Sequence, residues 1–243
     1  MTYSWNWLIF WAPAPDGTGT YLDLLLSGLG WTVTTAACAW ALALVLGSIV
    51  GVLRSLPARA LNRVATAYVE LFRNVPLIVQ LFLWYFVLPE LLPRPAGLWL
   101  KQLPDAAFWT GFVGIGLYMS ARVAEQLRAG IAALPRGQML AGLALGLTTA
   151  QTYRYVLLPM AYRIILPPLT SDFTNTIKNT SVALTIGLLE LTNRARSMQE
   201  FSFQTFEAFT AATLLYLLIN AVVVLTMRQV ERRVAVPGYI AAR

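Results

Sequence analysis

The chain has 243 residues, of which 58% are hydrophobic and only 12% are charged, and its formal net charge is +7. Soluble domains carry about 25% charged residues, so the composition excludes an ordinary soluble domain. It predicts an all-α polytopic membrane protein with one transmembrane domain over residues 1–243. With no histidine and a single cysteine, Cys38, the sequence predicts no disulfide framework, no metal, no cofactor and no catalytic residues.

The first predicted span covers residues 29–53, which contain no charge and are long enough to cross a bilayer. Within it, Gly47 and Gly51 form a small-xxx-small pair that allows another helix to approach closely. We expect this pair to serve packing within the chain rather than dimer formation.

The second and third spans are predicted over residues 66–92 and 106–133. The hydrophobic stretch around the second is longer than a membrane-spanning helix requires, and Pro76 is the expected break in it. The connector over 94–105 is mixed in charge and contains proline. The third span continues beyond its uncharged part through a charged segment near Glu125.

The fourth and fifth spans are predicted over residues 160–191 and 206–228. The fourth contains a polar run at 170–181 with apolar sequence on both sides. Polar groups at membrane depth are tolerated where they are buried in protein or face a water-filled path, so we expect a broken or pathway-facing span. A polar loop is expected from Asn193 onward.

Five crossings place the two termini on opposite sides of the membrane. Most of the 18 basic residues fall on one set of loops, and the positive-inside rule makes that side cytoplasmic. The N-terminus is then outside and the C-terminus cytoplasmic, with Trp5, Trp7 and Trp11 as an interfacial anchor. Because the positive charge follows topology, no nucleic-acid partner is expected.

Residues 135–159 lie on the predicted cytoplasmic side, between the third and fourth spans. Pro135 suits the first position of a helix, and Gly146 can end that helix in the left-handed conformation. Thr148 and Gln151 have the spacing of a capping box, which starts a second helix. The pattern predicts two short helices joined by a tight turn, either as a docking element or as an ordinary surface loop.

Several polar side chains fall within or beside the predicted spans. The two cations, Arg73 and Lys178, could bind substrate carboxylates, act as a gate or support the path, and Arg73 could instead lie at the cytoplasmic interface. Each of the neutral candidates either lines a path or makes a hydrogen bond between helices. These candidates are Asn74, Gln80, Asn175, Asn179, Thr180 and Ser181.

The stretch 135–159 resembles a cytoplasmic motif of the membrane subunits of ATP-binding-cassette importers. That motif reads Glu-Ala-Ala, three residues, Gly, nine residues, Ile, one residue, Leu-Pro. The same spacing falls here on Leu140-Ala141-Gly142, Gly146, Val156 and Leu158-Pro159. The departures are Leu140 for Glu, Gly142 for the second Ala and Val156 for Ile.

Other segments are similar to the polar-amino-acid branch of that family. They include VELFRNVPLIVQLFLWYF at 69–86 and IKNTSVAL at 177–184. Within the branch, the tryptophan-rich start at 5–7, the segment 121–129 and the tail 230–238 resemble the membrane subunits of bacterial glutamate/aspartate importers.

The resemblance implies the five-span permease fold of type I importers in the bacterial inner membrane. The implied partners are a second permease subunit, forming a heterodimer, a cytoplasmic ATPase dimer and an extracytoplasmic solute-binding protein. The substrate is a polar amino acid, glutamate or aspartate in the first instance. The residues implied to couple to the ATPase are Leu140, Ala141, Gly142, Leu145, Gly146, Leu147, Thr148, Gln151 and Pro159.

The chain is not expected to be an enzyme, since it has no G-x-x-x-x-G-K-[ST] phosphate loop and no nucleophile–base pairing. An importer for glutamine, histidine or arginine is the alternative within the family. A secondary transporter that works without ATP is a more remote one. The sequence leaves the substrate, its location in this or the second subunit, and hetero- versus homodimerisation open.

Overall fold

The computed structural model describes residues 3–15, 17 and 19–234. These residues form helices and contain no named β-strand; one isolated bridge pairs Pro13 with Thr20. The predicted all-α class is therefore confirmed. Part of the 230–238 tail that resembles the glutamate/aspartate permeases lies outside the described residues.

Eleven α-helices are present in the described part of the chain. They are α1 (Tyr21–Ser55), α2 (Arg59–Asn74), α3 (Leu77–Phe82), α4 (Leu88–Leu91), α5 (Arg94–Lys101), α6 (Ala106–Ala132), α7 (Arg136–Ala144), α8 (Thr149–Thr152), α9 (Leu158–Asn179), α10 (Leu191–Ser202) and α11 (Thr205–Val234). A short 3₁₀ helix, Trp7–Trp11, precedes them, and the π-helical turns Leu83–Val87 and Tyr153–Leu157 connect α3 to α4 and α8 to α9.

Two helices in the described residues, α1 and α11, are long and apolar enough to cross a membrane. A third span results if α2 and the helix over Leu77–Leu91 count as one broken crossing. Helices α6 and α9 are also long, but each includes charged or polar residues. The five-span topology and the orientation of the termini therefore stay predictions.

The predicted break at Pro76 is confirmed. Helix α2 ends at Asn74, and Val75 is extended with φ −92° and ψ 127° before α3 begins at Leu77. The proline ring disfavours helical backbone at the residue before it. This local effect divides the predicted second span.

Other prolines do not end their helices: Pro167 and Pro168 lie inside α9, and Pro89 and Pro159 each follow a π-helical turn. Each of the π-helical turns ends two residues before a proline, Pro89 or Pro159. Proline lacks an N–H, and its ring clashes with the carbonyl four residues earlier, so a wider turn lets the helix continue. The predicted short second helix of the 135–159 stretch is therefore wrong in length, because helical structure runs from Thr149 to Asn179.

The polar run at 170–181 was expected to be broken or to face a pathway; the chain stays helical throughout it, as α-helix to Asn179 and as 3₁₀ helix from Thr180. Hydroxyl groups of the run bond to carbonyls of the same helix, as Thr174 does to Ser171 at 2.8 Å, whereas Thr170 lies closer to Glu231 Oε1 on α11, at 2.6 Å, than to the Leu166 carbonyl, at 3.1 Å. The 3₁₀ helix runs over Thr180–Ile186 and ends at Gly187, which has φ +87°.

Two stretches expected to be connectors contain helices. Helix α5 lies within 94–105, and α10 occupies the polar stretch after Glu190. The Glu190 carboxylate caps α10 by accepting from the backbone N–H groups of Thr192 and Asn193 at 2.9 and 2.7 Å. Leu191, Ala195 and Met198 then form its buried face. This helical spacing of apolar residues was hard to see in the sequence because many polar residues lie between them.

The chain forms two compact units, each drawn from three segments. The first unit comprises the described parts of Met1–Ala39, Pro76–Ile115 and Asn175–Val222. Its core includes Leu24, Leu25, Leu191, Met198 and Ala208.

The second unit comprises Trp40–Val75, Gly116–Thr174 and the described part of Val223–Arg243. Here α1 and α6 meet at Gly47 and Gly51. A Cβ atom at Gly47 would lie 2.6 Å from the Cβ of Val123, and one at Gly51 would lie 3.0 Å from that of Leu127. The predicted role of this glycine pair in packing within the chain is confirmed.

Candidate functional site

The turn between α7 and α8 is closed by a Schellman motif around Gly146. Gly146 has φ +82°, and its N–H donates to the Leu143 carbonyl at 3.0 Å while the Leu147 N–H donates to the Gly142 carbonyl at 3.1 Å. This is the paired bonding that ends a helix with a left-handed glycine, as predicted. Pro135 differs slightly from the prediction, since it precedes the first residue of α7 instead of occupying it.

The capping box on the other side of the turn is also confirmed. The Thr148 N–H donates to Gln151 Oε1 at 2.8 Å, and the Gln151 N–H donates to Thr148 Oγ1 at 3.3 Å. The Schellman bonds give partners to carbonyls at the end of α7, and the capping box gives partners to backbone N–H groups at the start of α8. Only four residues connect the two helices. The turn, defined as residues 145–148, has a fixed geometry.

Gly142 brings the two helices into contact. It is buried, and a Cβ atom added there would lie 2.8 Å from Cγ2 and 3.0 Å from Oγ1 of Thr152. Both distances are too short for ordinary packing. The departure from alanine in the importer motif therefore has a local reason: Thr152 occupies the space that an alanine methyl group needs.

The leucines of the motif differ in exposure. Leu140 is 65% exposed and Leu145 is 83% exposed, whereas Leu147 is half-buried and Ala141 is exposed. Apolar side chains on a rigid turn are a feature of docking surfaces. Packing onto the rest of the chain covers part of the Leu147 side chain and leaves most of Leu140 and Leu145 exposed.

The helix that follows the turn is fastened to the end of α1. Tyr153 is buried, and its hydroxyl donates to the carbonyl of Ser55, the last residue of α1, at 2.9 Å. The carbonyls of a last helical turn have no partner within their helix, so this bond joins the two elements specifically.

Next to Ser55, three arginines surround the Glu125 carboxylate, which is 29% exposed. Arg54 forms an ion pair with it, Arg128 approaches to 2.5 Å, and Arg73 lies 3.8 Å away. The predicted pathway cation Arg73 thus belongs to a cluster formed by α1, α2 and α6. Its neighbour Asn74 is exposed.

A second ion pair joins α6 to α9 and was missed in the sequence. Asp172 is 1% exposed and accepts from Arg122 Nε at 2.9 Å and from Gln126 Nε2 at 2.5 Å. A charge at membrane depth within the polar run was the available signal, but nothing local identified a partner 50 residues away. Arg122 itself remains 44% exposed.

The remaining candidates lie in the first unit. Gln80 is buried on α3, which packs against the 3₁₀ helix that contains Thr180 and Ser181. Thr180 donates to the Ile177 carbonyl and Ser181 to the Lys178 carbonyl, both at 2.7 Å. Those two hydroxyls serve the backbone of their own helix.

Asn175 and Asn179 are half-buried, whereas Lys178 is exposed. Among the described residues, no group of three or more His, Cys, Asp and Glu side chains could hold a metal ion.

Comparison with known proteins identifies the family of this chain. Residues 43–236 match the model of the family described as "Binding-protein-dependent transport system inner membrane component". The chain is 50% identical over 241 residues to the glutamate/aspartate import permease protein GltJ of Escherichia coli K12, covering 98% of each chain. It is 38% identical over 209 residues to the probable amino-acid ABC transporter permease protein PatM of Vibrio harveyi, covering 86% and 90%.

Among solved structures, the chain is similar to a crystal structure of an amino acid ABC transporter with histidines. The TM-score is 0.75 at 30% identity, over 88% of this chain and 95% of the other. The MetNI methionine transporter in an inward-facing conformation shares the fold, with a TM-score of 0.72 at 19% identity. The family match, the extensive identity and the shared fold lead to one conclusion: the chain belongs to the inner membrane components of binding-protein-dependent transport systems.

Proposed function

We propose that this chain is the permease subunit of an ATP-binding-cassette importer for amino acids, with glutamate and aspartate as substrates. Its 50% identity to a glutamate/aspartate import permease over nearly the whole chain supports the substrate class. The observation that carries the coupling role is the closed turn at residues 145–148, which carries exposed Leu145 and follows α7, which carries exposed Leu140.

The proposed assembly follows from the family. The chain forms one transmembrane domain over 1–243 with five spans, its N-terminus outside and its C-terminus in the cytoplasm. It pairs with a second, similar permease subunit as a heterodimer and binds a cytoplasmic ATPase dimer. An extracytoplasmic solute-binding protein delivers the amino acid.

The mechanism assigns the stretch 135–159 to contact with the ATPase. Leu140, Ala141, Leu145 and Leu147 supply apolar contacts in place of the missing motif glutamate. The closed turn and the Tyr153–Ser55 bond then pass movement of the ATPase to α1. Rigid-body movement of this kind can alternate access to a path through the membrane.

The path itself is proposed in two parts. In the first unit, Gln80 and the polar residues from Asn175 to Ser181 contribute to it, and exposed Lys178 offers a cation for a substrate carboxylate. In the second unit, Asp172 orients Arg122, whose guanidinium is suited to bidentate carboxylate contact. Arg73, held near Glu125, supports the cytoplasmic end or acts as a gate there.

Reconstitution of the complete importer with Gly146→Val tests the coupling role. Valine is strongly disfavoured at positive φ, so we expect loss of substrate-stimulated ATP hydrolysis and uptake. Gly137→Val is the matched control, since a Cβ atom at either glycine meets open space and only Gly146 has positive φ. Normal coupling in the Gly146 variant would refute the proposed role.

Uptake assays in the same proteoliposomes test the substrate. ATP-driven uptake of glutamate and aspartate is expected to exceed that of glutamine, histidine and arginine when each is offered with the importer's own binding protein. Preference for one of the latter three would assign the chain to another polar-amino-acid importer. Uptake by the purified chain alone, driven only by an ion gradient, would establish a secondary transporter.

A further inference from the structure

A cavity of about 710 Å³ in the first unit is not used by the proposed transport mechanism. We name it the aromatic cavity. Its volume lies within the range of about 300–1,000 Å³ that is common for sites that bind small molecules. Its walls include Trp84, Tyr85, Trp99, Trp109, Thr110 and Val113.

The walls of the aromatic cavity are held by close contacts on two sides. Toward one end, α6 touches the α3 segment, where a Cβ atom added at Gly114 would lie 2.7 Å from Leu81 Cδ2. On another side, Gly97 of α5 sits directly against the Pro89 carbonyl of α4, with no room for a Cβ atom. The cavity is therefore a cleft between packed helices that is open on one side, where Trp99 and Trp109 of its wall are 62% and 48% exposed.

The charges of the cavity wall are confined to one ion pair. Lys101 Nζ lies 2.5 Å from Glu90 Oε1, and the two side chains are 45% and 68% exposed. The other named wall residues are apolar, aromatic or hydroxylic. An apolar chamber with one cation and one anion at its exposed edge matches a long apolar chain that ends in a zwitterion.

The position of the aromatic cavity in the sequence indicates the source of such a ligand. It lies between the end of the predicted second span and the start of the third. Tryptophan and tyrosine concentrate at the level of lipid head groups. Under the proposed topology, this level is the outer face of the membrane, and the inference rests on the proposed function for that placement alone.

We propose that the aromatic cavity binds one acyl chain of a zwitterionic phospholipid such as phosphatidylethanolamine. The chain lies among Trp84, Trp99 and Trp109. Lys101 contacts the phosphate, and Glu90 contacts the ammonium group. A bound lipid would fill the space between α5 and α6 and fix α5 at the membrane surface.

Photolabelling of the complete importer tests this site. The importer is placed in nanodiscs that contain phosphatidylethanolamine with a diazirine on an acyl chain, irradiated, digested and analysed by mass spectrometry. We expect labelled peptides to concentrate on the cavity wall, at 84–90, 99–103 and 106–113. Unlabelled phosphatidylethanolamine should compete better than unlabelled phosphatidylglycerol.

Three variants make the test specific. Thr110→Trp should fill the cavity and abolish the labelling, whereas Thr213→Trp, at an exposed threonine of α11, should leave it unchanged. Lys101→Ala should lower the labelling about fivefold, as expected for removal of one cation near a lipid phosphate. Its control is Arg94→Ala, at the opposite end of the same helix. Glu90→Ala should reduce the preference for phosphatidylethanolamine over phosphatidylglycerol.

Labelling spread evenly over the hydrophobic surface would overturn the proposal, as would labelling that persists in Thr110→Trp. Cross-links from the cavity wall to the binding protein or the second permease subunit, with no lipid label, would assign the space to a protein contact instead. If Thr110→Trp does not assemble, competition between unlabelled lipids in the unaltered importer decides. ATP-driven uptake, measured on the same preparation, tests the transport function independently of the lipid label.

Discussion

The hydroxyl of Tyr153 donates a 2.9 Å hydrogen bond to the carbonyl of Ser55, so the helix that follows the turn at residues 145–148 is joined to the last residue of α1. The adjacent residue, Arg54, forms an ion pair with Glu125 on α6. Under the proposed coupling role, movement of the turn reaches α1 through this bond at a helix end, and reaches α6 through the ion pair.

Tyr153→Phe should weaken this connection while keeping the buried ring. A typical hydrogen bond contributes about 1 kcal/mol to stability, so we expect a slightly lower apparent melting temperature. We also expect more ATP hydrolysed per amino acid transported. Tyr155→Phe, at an exposed tyrosine two residues away, is the control. An unchanged ratio of hydrolysis to transport in Tyr153→Phe would show that coupling does not pass through this bond.

Gly142→Ala should damage the junction of the two turn helices. The added methyl group would lie 2.8 Å from Thr152 Cγ2, and overpacking of this kind costs about 1–3 kcal/mol. The double variant Gly142→Ala/Thr152→Ser lacks that Cγ2 atom and should regain part of the lost stability and ATPase coupling. Thermal unfolding and ATPase assays of the single and double variants measure both effects. Equal defects in the two would contradict the steric explanation.

Glu125→Gln should destabilise the cluster of Arg54, Arg73 and Arg128. Without the carboxylate, three guanidinium groups face each other with no counter-charge. We expect a loss of about 1–2 kcal/mol, because Glu125 is only partly exposed and pairs with more than one arginine. Glu70→Gln, at an exposed glutamate of α2, serves as the control. Equal melting temperatures for the two variants would show that the cluster adds no stability.

The Arg122–Asp172 pair lends itself to a double-mutant cycle. Removing one member of a fully buried ion pair costs about 3–5 kcal/mol; a smaller loss is expected here because Arg122 is 44% exposed and Gln126 still donates to the buried Asp172. We still expect Arg122→Gln to lose stability and Arg122→Gln/Asp172→Asn to be more stable. If the double variant assembles but does not transport glutamate, Arg122 also contacts substrate. If the double variant loses as much stability as Arg122→Gln and Asp172→Asn together, the two side chains do not stabilise the protein as a pair.

Lys178→Met should lower uptake of glutamate and aspartate with assembly intact. The lysine is exposed and lies one turn from hydroxyl groups that serve the helix backbone, so its removal leaves no buried charge behind. Arg196→Met, at an exposed surface ion pair in the same unit, is the control. Failure of the Lys178 variant to assemble would favour a structural role for the lysine.

Features set by neighbouring residues could be predicted from the sequence. The left-handed Gly146, the capping box of Thr148 and Gln151 and the break at Pro76 all depend on backbone preferences within a few positions. The extent of the helices was less predictable. A π-helical turn allows Pro159 to continue a helix, and the hydroxyl groups of the polar run find carbonyl partners within the helix, so the run needs no break.

Composition and local pattern alone thus determined that this is a helical membrane protein with a closed turn at residues 145–148, and motif spacing indicated its family. Only the tertiary structure decided which charges meet. Asp172 pairs with Arg122, which is 50 residues away in the sequence, and Glu125 pairs with Arg54, which is 71 residues away. A charged side chain at membrane depth needs a partner, but only the packing of helices determines which one is within reach.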